Sequence, residues 1–600
     1  MTRQVSRRQF IANTATLAVG VSTSASMDVQ SKEHGLVEFN YGVASGDPLT
    51  DAVIIWTHAK AAGSNQAVKL RWEMSSDESF KNIVQLGSIQ CTNKTGFTAK
   101  VDVLGLQANT SYFYRFVHAT GVTSKIGTTR TLPHQSSISD VVLAVFSCSL
   151  YSAGFFNAYD HACQSDAQFA VHLGDYIYEY GASEKEYGNS TAQKLNRITR
   201  PSGNLVSLQD YRTRYALYRS DPSLQALHAK MPWITVWDDH EFANNAFVNG
   251  AENHNASKQG SWALRKATAA KVYHEWMPIR TPDSKNLYKI FRKFDFGRVL
   301  TLQMIDTRIE GRAKQYANFG ELQPGYSYED YFNGLNTKVN GLPIDAQRGM
   351  ISTEQMQWIK DNFSASKATW QMLGNQDVMG KMSMPSSVLK PLFDSAMNPG
   401  DKKRGDLTKL SIQNYLAAKA TKAKDAKSLT PEQMSLLNVA ENPRLPFNLD
   451  AWDGYPMNRE LLLQIAKSSQ KNLIVISGDS HNAWFNSLTT LSGEKVGFEF
   501  AGTSVTSPGF ESFGLGDFAP LIDGRALMAQ FGPSVMGAGL GLIDDVHFAE
   551  TQSRGYLKLT ASQDTMKGEY IFLSTVLSKD YMAKVGTTIT VAKDGTVEYT

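Results

Sequence analysis

The spacing of hydrophobic positions changes at about residue 139. Between about 38 and 135, short apolar runs are separated by Gly and Asn/Ser clusters. Examples are Val53-Ile54-Ile55-Trp56-Thr57, Leu70-Arg71-Trp72-Glu73-Met74 and Tyr112-Phe113-Tyr114-Arg115-Phe116. Aromatic and β-branched runs bounded by turn formers predict strands. No long helical pattern interrupts them, so residues 38–136 predict a small immunoglobulin-like β-sandwich. This stretch has no cluster of His, Asp and Cys, so its expected role is packing and positioning. Ser45-Gly46-Asp47-Pro48 reads as a turn.

From 139 to 600, strand-like apolar runs alternate with helical segments, which predicts a layered α/β domain. Ser352-Thr353-Glu354-Gln355 before Met356, Trp358 and Ile359 has the form of a capping box, as does Thr430-Pro431-Glu432-Gln433. The Lys/Ala-rich stretch 417–428 reads as a solvated helix face. Residues 312–350 and 381–455 are rich in polar, Gly and Pro residues. They read as insertions over the core, a lid being one reading. The Gly-rich stretch 537–541 lacks the Lys-Ser/Thr of a P-loop and reads as a loop. No internal repeat is present.

Five of the buried-type runs end in polar or metal-binding residues. The run 141–146 leads into Ser147-Cys148-Ser149. The run 169–173 leads into Gly174-Asp175-Tyr176-Ile177-Tyr178. The run 233–237 leads into Asp238-Asp239-His240-Glu241. The last two, 370–373 and 473–476, lead into Gly374-Asn375-Gln376-Asp377 and Ser477-Gly478-Asp479-Ser480-His481. Asp and Asn are ordinary turn residues, so one such junction carries little. Five in order are different, because α/β sheets bind ligands at the carboxyl ends of their strands. Asp, His, Asn, Tyr and Cys converging on one edge would form a metal site, since clustered carboxylates need cations.

Composition narrows the class. The chain has 600 residues, 42% hydrophobic and 20% charged, which excludes wholesale disorder and fibrous classes. The net charge of +3, with no basic stripe, leaves no nucleic-acid-binding surface in view. That charge sits at the N-terminus. Residues 1–26 contain Arg3, Arg7 and Arg8 and no acid, and without them basic and acidic residues balance at 57 each. Ser6-Arg7-Arg8-Gln9-Phe10-Ile11, the apolar stretch 12–21 and the small residues 22–26 have the form of a twin-arginine export signal. The apolar core is shorter than the ~20 residues a transmembrane helix needs. A periplasmic or secreted destination is expected, with the twin-arginine machinery as partner of the precursor. Three cysteines, Cys91, Cys148 and Cys163, cannot all pair internally, so a disulfide scaffold is excluded.

In combination, the motifs Gly174-Asp175-Tyr176-Ile177-Tyr178-Glu179, Trp237-Asp238-Asp239-His240-Glu241 and Ser477-Gly478-Asp479-Ser480-His481 resemble the PhoD-like alkaline phosphatase/phosphodiesterase family. That family lies within the calcineurin-like metallophosphoesterases. The leader, Gly42-Val43-Ala44-Ser45-Gly46-Asp47-Pro48 and the arginine-rich segment 211–222 share the resemblance, which spans essentially the whole chain. It implies an α/β/β/α sandwich behind the N-terminal β-sandwich. The implied activity is hydrolysis of phosphate monoesters or diesters by metal-activated hydroxide, with phospholipid or teichoic-acid-like diesters among the candidate substrates.

The resemblance also implies iron(III) held by Cys148, Asp175, Tyr178 and His481. Calcium would be held by Asp239, Asp479 and Asn244, with Asn245 the alternative to Asn244 and Asp175 bridging the two ions. Asn375 and Gln376 occupy the position of another metal-side loop. His240 is expected to contact phosphate or donate a proton. His172 is expected to be a core histidine, and Asp306 with Arg308 an internal ion pair. Arg212, Arg214 and Arg219 read either as phosphate ligands or as helix fasteners. Cys91 and Cys163 are expected to be inert. The rival enzyme reading is a phospholipase D-like phosphodiesterase on the same site. The rival of another class is an exported adhesion or binding module.

Overall fold

The computed structural model describes residues 36–315, 348–526 and 540–600, except positions 399, 447 and 514, together with the short strands Lys338–Val339 and Leu342–Pro343. The leader, most of the 312–350 insertion and most of the 537–541 loop lie outside the described residues.

Two sheets stack face to face. In the first, Val141–Phe146, Phe169–His172 and Trp233–Thr235 are parallel neighbours. Arg554–Ala561, Thr565–Leu573, Ala583–Ala592 and Val597–Tyr599 extend it antiparallel on one side. In the second, Leu300–Met304, Trp370–Gly374, Asn472–Ser477 and Lys495–Ala501 are parallel. Arg292–Phe296 flanks one edge antiparallel, and Ala483–Thr489 and Val546–Glu550 flank the other. The central strands read as near-continuous apolar runs because both of their faces are covered. Phe146, Val171 and Trp233 of one sheet share a core with Leu302, Met372, Ile474 and Phe500 of the other.

Helices form the outer layers. Leu208–Arg219, Pro222–Lys230 and Trp262–Trp276 pack Tyr211, Tyr215, Leu224 and Trp276 into the first sheet's core. Thr353–Ala365 and Pro456–Ser469 lay Met356, Ile359, Leu462 and Leu463 against Leu373, Leu473 and Val475. This is the α/β layering expected from the alternating pattern. At Thr430 the expected capping box is complete. At Ser352 only half of it forms: Ser352 Oγ accepts the Gln355 N–H at 3.0 Å. The Gln355 side chain turns inward instead, accepting from Asp306 N at 2.7 Å and donating to Asp306 O at 2.8 Å.

The N-terminal region is β-rich, as its pattern predicts. Val43–Gly46, Ala52–His58 and Thr98–Leu104 oppose a four-stranded sheet of Ile83–Cys91, Val68–Ser75, Ser111–His118 and Gly127–Arg130. The first three are also part of the larger domain's sheet. Gly46 partners Trp233, and Asp47 N donates to Trp233 O at 3.0 Å. A Cβ at Gly46 would lie 2.4 Å from Pro278 O and 2.5 Å from Trp233 O, so only glycine permits the junction. Arg292 then clamps Asp47 through Nε at 2.8 Å and Nη2 at 2.9 Å, while the same Nη2 donates to Thr235 O at 2.6 Å. A packing role understates this union, because ten strands form one sheet through both regions.

Candidate active site

Parallel strands present their carboxyl ends on one side, so the two stacked sheets bring six strand ends to a common edge. Cys148, Asp175 and Asp238-Asp239-His240 follow strands of the first sheet. Arg308, Asp377 and Asp479-Ser480-His481 follow strands of the second. The backbone there is unusual. Cys148 (φ 59°), Asp175 (57°), Asp479 (55°) and His481 (59°) are all left-handed. Non-glycine residues avoid this region, and its occupancy clusters where a site demands particular side-chain directions.

Those directions converge. Ligand atoms of Cys148, Asp175 and His481 lie within 4.8 Å of one another. Tyr178 completes the group: its Oη donates to Asp175 Oδ2 at 2.8 Å, lies 3.2 Å from His481 Nε2 and accepts from Ser507 Oγ at 2.7 Å. Asp175, Asp239 and His240 form a second such set, and Asp238, Asp239 and Asp479 a third. Asp175 belongs to the first two sets and Asp239 to the last two, so the sets form one chain of ligands.

The surroundings fit cations. Burial pushes the Cys148 thiol and the Tyr178 phenol well above their usual pKa values, with Asp175 adding to both. Thiolate and phenolate there require a metal charge beside them. Asp238 Oδ2 and Asp239 Oδ1 are buried without a hydrogen-bond partner. Burial holds His481 down to about 3, so its ring is neutral. Its Nδ1 faces Pro508 O at 2.8 Å, which can only accept, so Nδ1 carries the proton. The Nε2 lone pair is thereby aimed at Tyr178 and Asp175, the arrangement of a ligating histidine.

His240 Nδ1 binds Glu179 Oε2 at 2.7 Å. Burial alone would lower the His240 pKa, but Asp239, Asp175 and Glu179 together raise it well above 6.5. Burial would raise Glu179, yet His240 and the Asn244 N and Asn253 Nδ2 donors bring it to about 2. Cations at Asp175 and Asp239 would relieve part of this pull and leave Glu179 as the fixed partner. Glu241 ties the motif loops together. Its carboxylate accepts Asp175 N (2.9 Å), Tyr176 N (2.5 Å), Ile177 N (3.4 Å) and Asp238 N (2.7 Å).

The remaining candidate residues have the following partners. Asn244 Oδ1 accepts from Tyr180 Oη at 3.0 Å, while Asn245 N donates to Asp239 Oδ2 at 2.5 Å and its side chain reaches Glu252. Asn375 and Gln376 serve the scaffold: Asn375 Oδ1 accepts Trp452 Nε1, and Gln376 bonds Thr307 and Ile305 O. Their neighbour Asp377 is the one that faces the acidic cluster. The expected Asp306–Arg308 ion pair does not form. Asp306 accepts the N–H groups of Arg308, Ile309 and Glu310 at 2.8–3.0 Å, which frees the guanidinium for other partners.

All three arginines of the Leu208–Arg219 helix act as fasteners. Arg212 pairs bidentately with Glu275, Arg214 donates to the Tyr178, Tyr180 and Arg200 carbonyls, and Arg219 lies over Trp56. His172 is fully buried against Tyr159, as expected of a core histidine. Cys91 and Cys163 are free thiols, Cys91 buried and Cys163 partly so. Sequence reasoning gave no role to Glu179, Glu241, Asp377 or Asp450. The first three stand inside or beside the motifs, whereas Asp450 lies in the 381–455 insertion with no local signal.

Comparison with known proteins agrees with the geometry. The family described as PhoD-like phosphatase matches residues 143–570, and its N-terminal domain matches residues 22–133. Alkaline phosphatase D of Bacillus subtilis (strain 168) is 31% identical over 529 residues, covering 84% of this chain and 76% of that protein. A solved structure titled "Structure of PhoD" superposes with a TM-score of 0.70 at 27% identity, covering 94% of this chain and 92% of that one. Among the described residues no helix is long and apolar enough to cross a membrane. With its phosphoesterase motifs gathered at one sheet edge and both family domains matched in order, the chain belongs to the PhoD-like phosphatase family and is a phosphate-ester hydrolase.

Proposed function

We propose that the protein is an exported, metal-dependent phosphate-ester hydrolase in which Cys148, Asp175, Tyr178 and His481 hold iron(III). Asp239 and Asp479 would hold calcium, joined by Asn244 on exchange of its Tyr180 Oη contact for the ion, and Asp175 would serve both ligand sets to which it belongs. The observation that carries this reading is the left-handed backbone at Cys148, Asp175, Asp479 and His481, beside which buried and part-buried donors of different chemistry lie within ligand distance. Thiolate, phenolate and imidazole suit iron, and an oxygen-only set suits calcium. Bound there, the ions supply the positive charge that acidifies water and neutralises phosphoryl oxygens.

The chain's own groups do the rest. His240, held through Nδ1 by Glu179 and lying beside Asp175 and Asp239, keeps Nε2 free to pass a proton to the leaving oxygen. Ser480 is engaged by Trp484 Nε1 at 2.9 Å and Asn482 O at 3.3 Å, which supports direct attack by water over a seryl intermediate. The substrates are small phosphate monoesters or diesters, and the leader is a twin-arginine signal for periplasmic or secreted delivery.

Elemental analysis and visible spectroscopy test the metal assignment. Iron with a phenolate absorption band is expected, the band being lost in Tyr178→Phe. A band unchanged in that variant would refute Tyr178 as the ligand. A panel of monoesters and diesters then fixes the substrate class.

A further inference from the structure

Asp377, Asp450 and Asp479 place carboxylate oxygens within 4.8 Å of one another, the spacing of a cation site. The group lying among them is the guanidinium of Arg308, which is fully buried. Nε lies 2.5 Å from Asp238, Nη1 2.6 Å from Asp450, and Nη2 2.8 Å from Asp377 and 3.0 Å from Asp479. Asp239 is 3.7 Å away. Arg312, also fully buried, adds contacts to Asp450 at 2.5 Å and Asp377 at 3.5 Å.

Arg308 is not a side chain that drifted into an acidic hollow. Asp306 holds its backbone N–H, and Gln355 grips Asp306 from both sides, so its root is fixed to the end of the Leu300–Met304 strand. A planar guanidinium with three nitrogens facing four carboxylates is a preorganised arrangement, of which a lysine ammonium keeps the charge but not the fork.

We propose that Arg308 is a built-in cation of the site: a positioning residue that occupies the Asp377–Asp450–Asp479 set in place of a metal ion and fixes how many ions the edge can hold. It donates to Asp450 and neutralises Asp377 by charge within the protein. It engages one oxygen each of Asp238 and Asp479 and leaves the other toward the neighbouring set. Removing its charge, while keeping an apolar stem of similar length, leaves the buried Asp377 and the part-buried Asp450 and Asp479 with only Arg312, among the described residues, as an ion-pair partner, and opens an oxygen site among them. Oxygen-only sites of this kind take calcium. The inference rests on the reading that the adjacent sets bind cations, but its own test is a count of ions.

The experiment compares wild type, Arg308→Met and Arg308→Lys by elemental analysis after gel filtration in calcium. Melting curves are recorded with and without calcium. Arg308→Met is expected to hold one more calcium per chain than wild type. Its Tm should rise with calcium by more than the wild type's, since a ligand bound only by the folded state stabilises it. Arg308→Lys, which keeps the charge, should retain the wild-type count. An unchanged count in Arg308→Met, or an extra ion in Arg308→Lys, would overturn the proposal. So would an insoluble Arg308→Met that calcium does not rescue. A metal-free wild type beside a calcium-binding Arg308→Met would instead defeat the metal reading of the preceding section and leave this one standing.

Discussion

Replacing Glu241 by Gln removes one negative charge and one acceptor from the junction of two motif loops. The carboxylate repels the Asp175 carboxylate but bonds to backbone N–H groups, so the larger effect of its loss is mechanical. Oε2 accepts from Asp175 N at 2.9 Å and Asp238 N at 2.7 Å, while Oε1 accepts from Tyr176 N at 2.5 Å and Ile177 N at 3.4 Å. A glutamine has one oxygen, so in either amide orientation two backbone donors face an NH2 group. Hydrogen bonds to a charged group contribute ~1.5–3 kcal/mol each, so losing two costs about 3–6 kcal/mol. Typical domains have only ~5–15 kcal/mol of stability, so the change should be visible at once. Burial also pushes Glu241 up to about 7 against the pull of those donors, so its charge depends on them. Urea or thermal unfolding of Glu241→Gln is the assay, with phosphoesterase activity measured on the surviving folded fraction. Glu241→Gln unfolding within about 0.5 kcal/mol of wild type, the range of an ordinary surface change, would refute the reasoning.

Two further outcomes are expected. His240→Asn should lower kcat by roughly 10²–10⁴-fold, the range for loss of a general acid, with metal content unchanged; it should spare activated esters, whose leaving groups need no proton. The buried imidazole of His58, held down to about 4 by burial and Lys60, should contribute to acid lability. Its folded pKa lies below the unfolded 6.5, so its stabilising effect is present above pH 6.5 and is lost as pH falls toward 4. At 1.36 kcal/mol per unit this amounts to about 3 kcal/mol, and His58→Gln should flatten that limb of a pH-dependent unfolding curve.

The layering and most of the site were legible because buried parallel strands are strongly apolar and their ends are polar. Cys148, Asp175, Tyr178, Asp239, Asp479 and His481 each stand a few residues beyond such a run, so strand recognition alone placed them on one edge. What the pattern hid depends on contacts across the sheets. Arg308 sits two residues from Asp306, which made a local ion pair the natural reading; only the Gln355 grip on Asp306 explains why the guanidinium points elsewhere. Gln355 itself reads as half of a capping box until the second sheet supplies it a buried partner. Asp450 lies in a polar, Pro-rich insertion where one aspartate among many carries no signal. The join between Gly46 and Trp233 is likewise invisible locally, since nothing in either strand states which edge it will pair with.

The central claim is that hydrolysis depends on ions held by Asp175 and its neighbours. The most direct measurement is the specific activity of purified protein against its metal content, before and after chelation, beside a folded Asp175→Asn variant. The account predicts iron and calcium in the active protein, loss of hydrolysis with their removal, recovery on their return, and no activity in Asp175→Asn. Full activity in metal-stripped protein would contradict it.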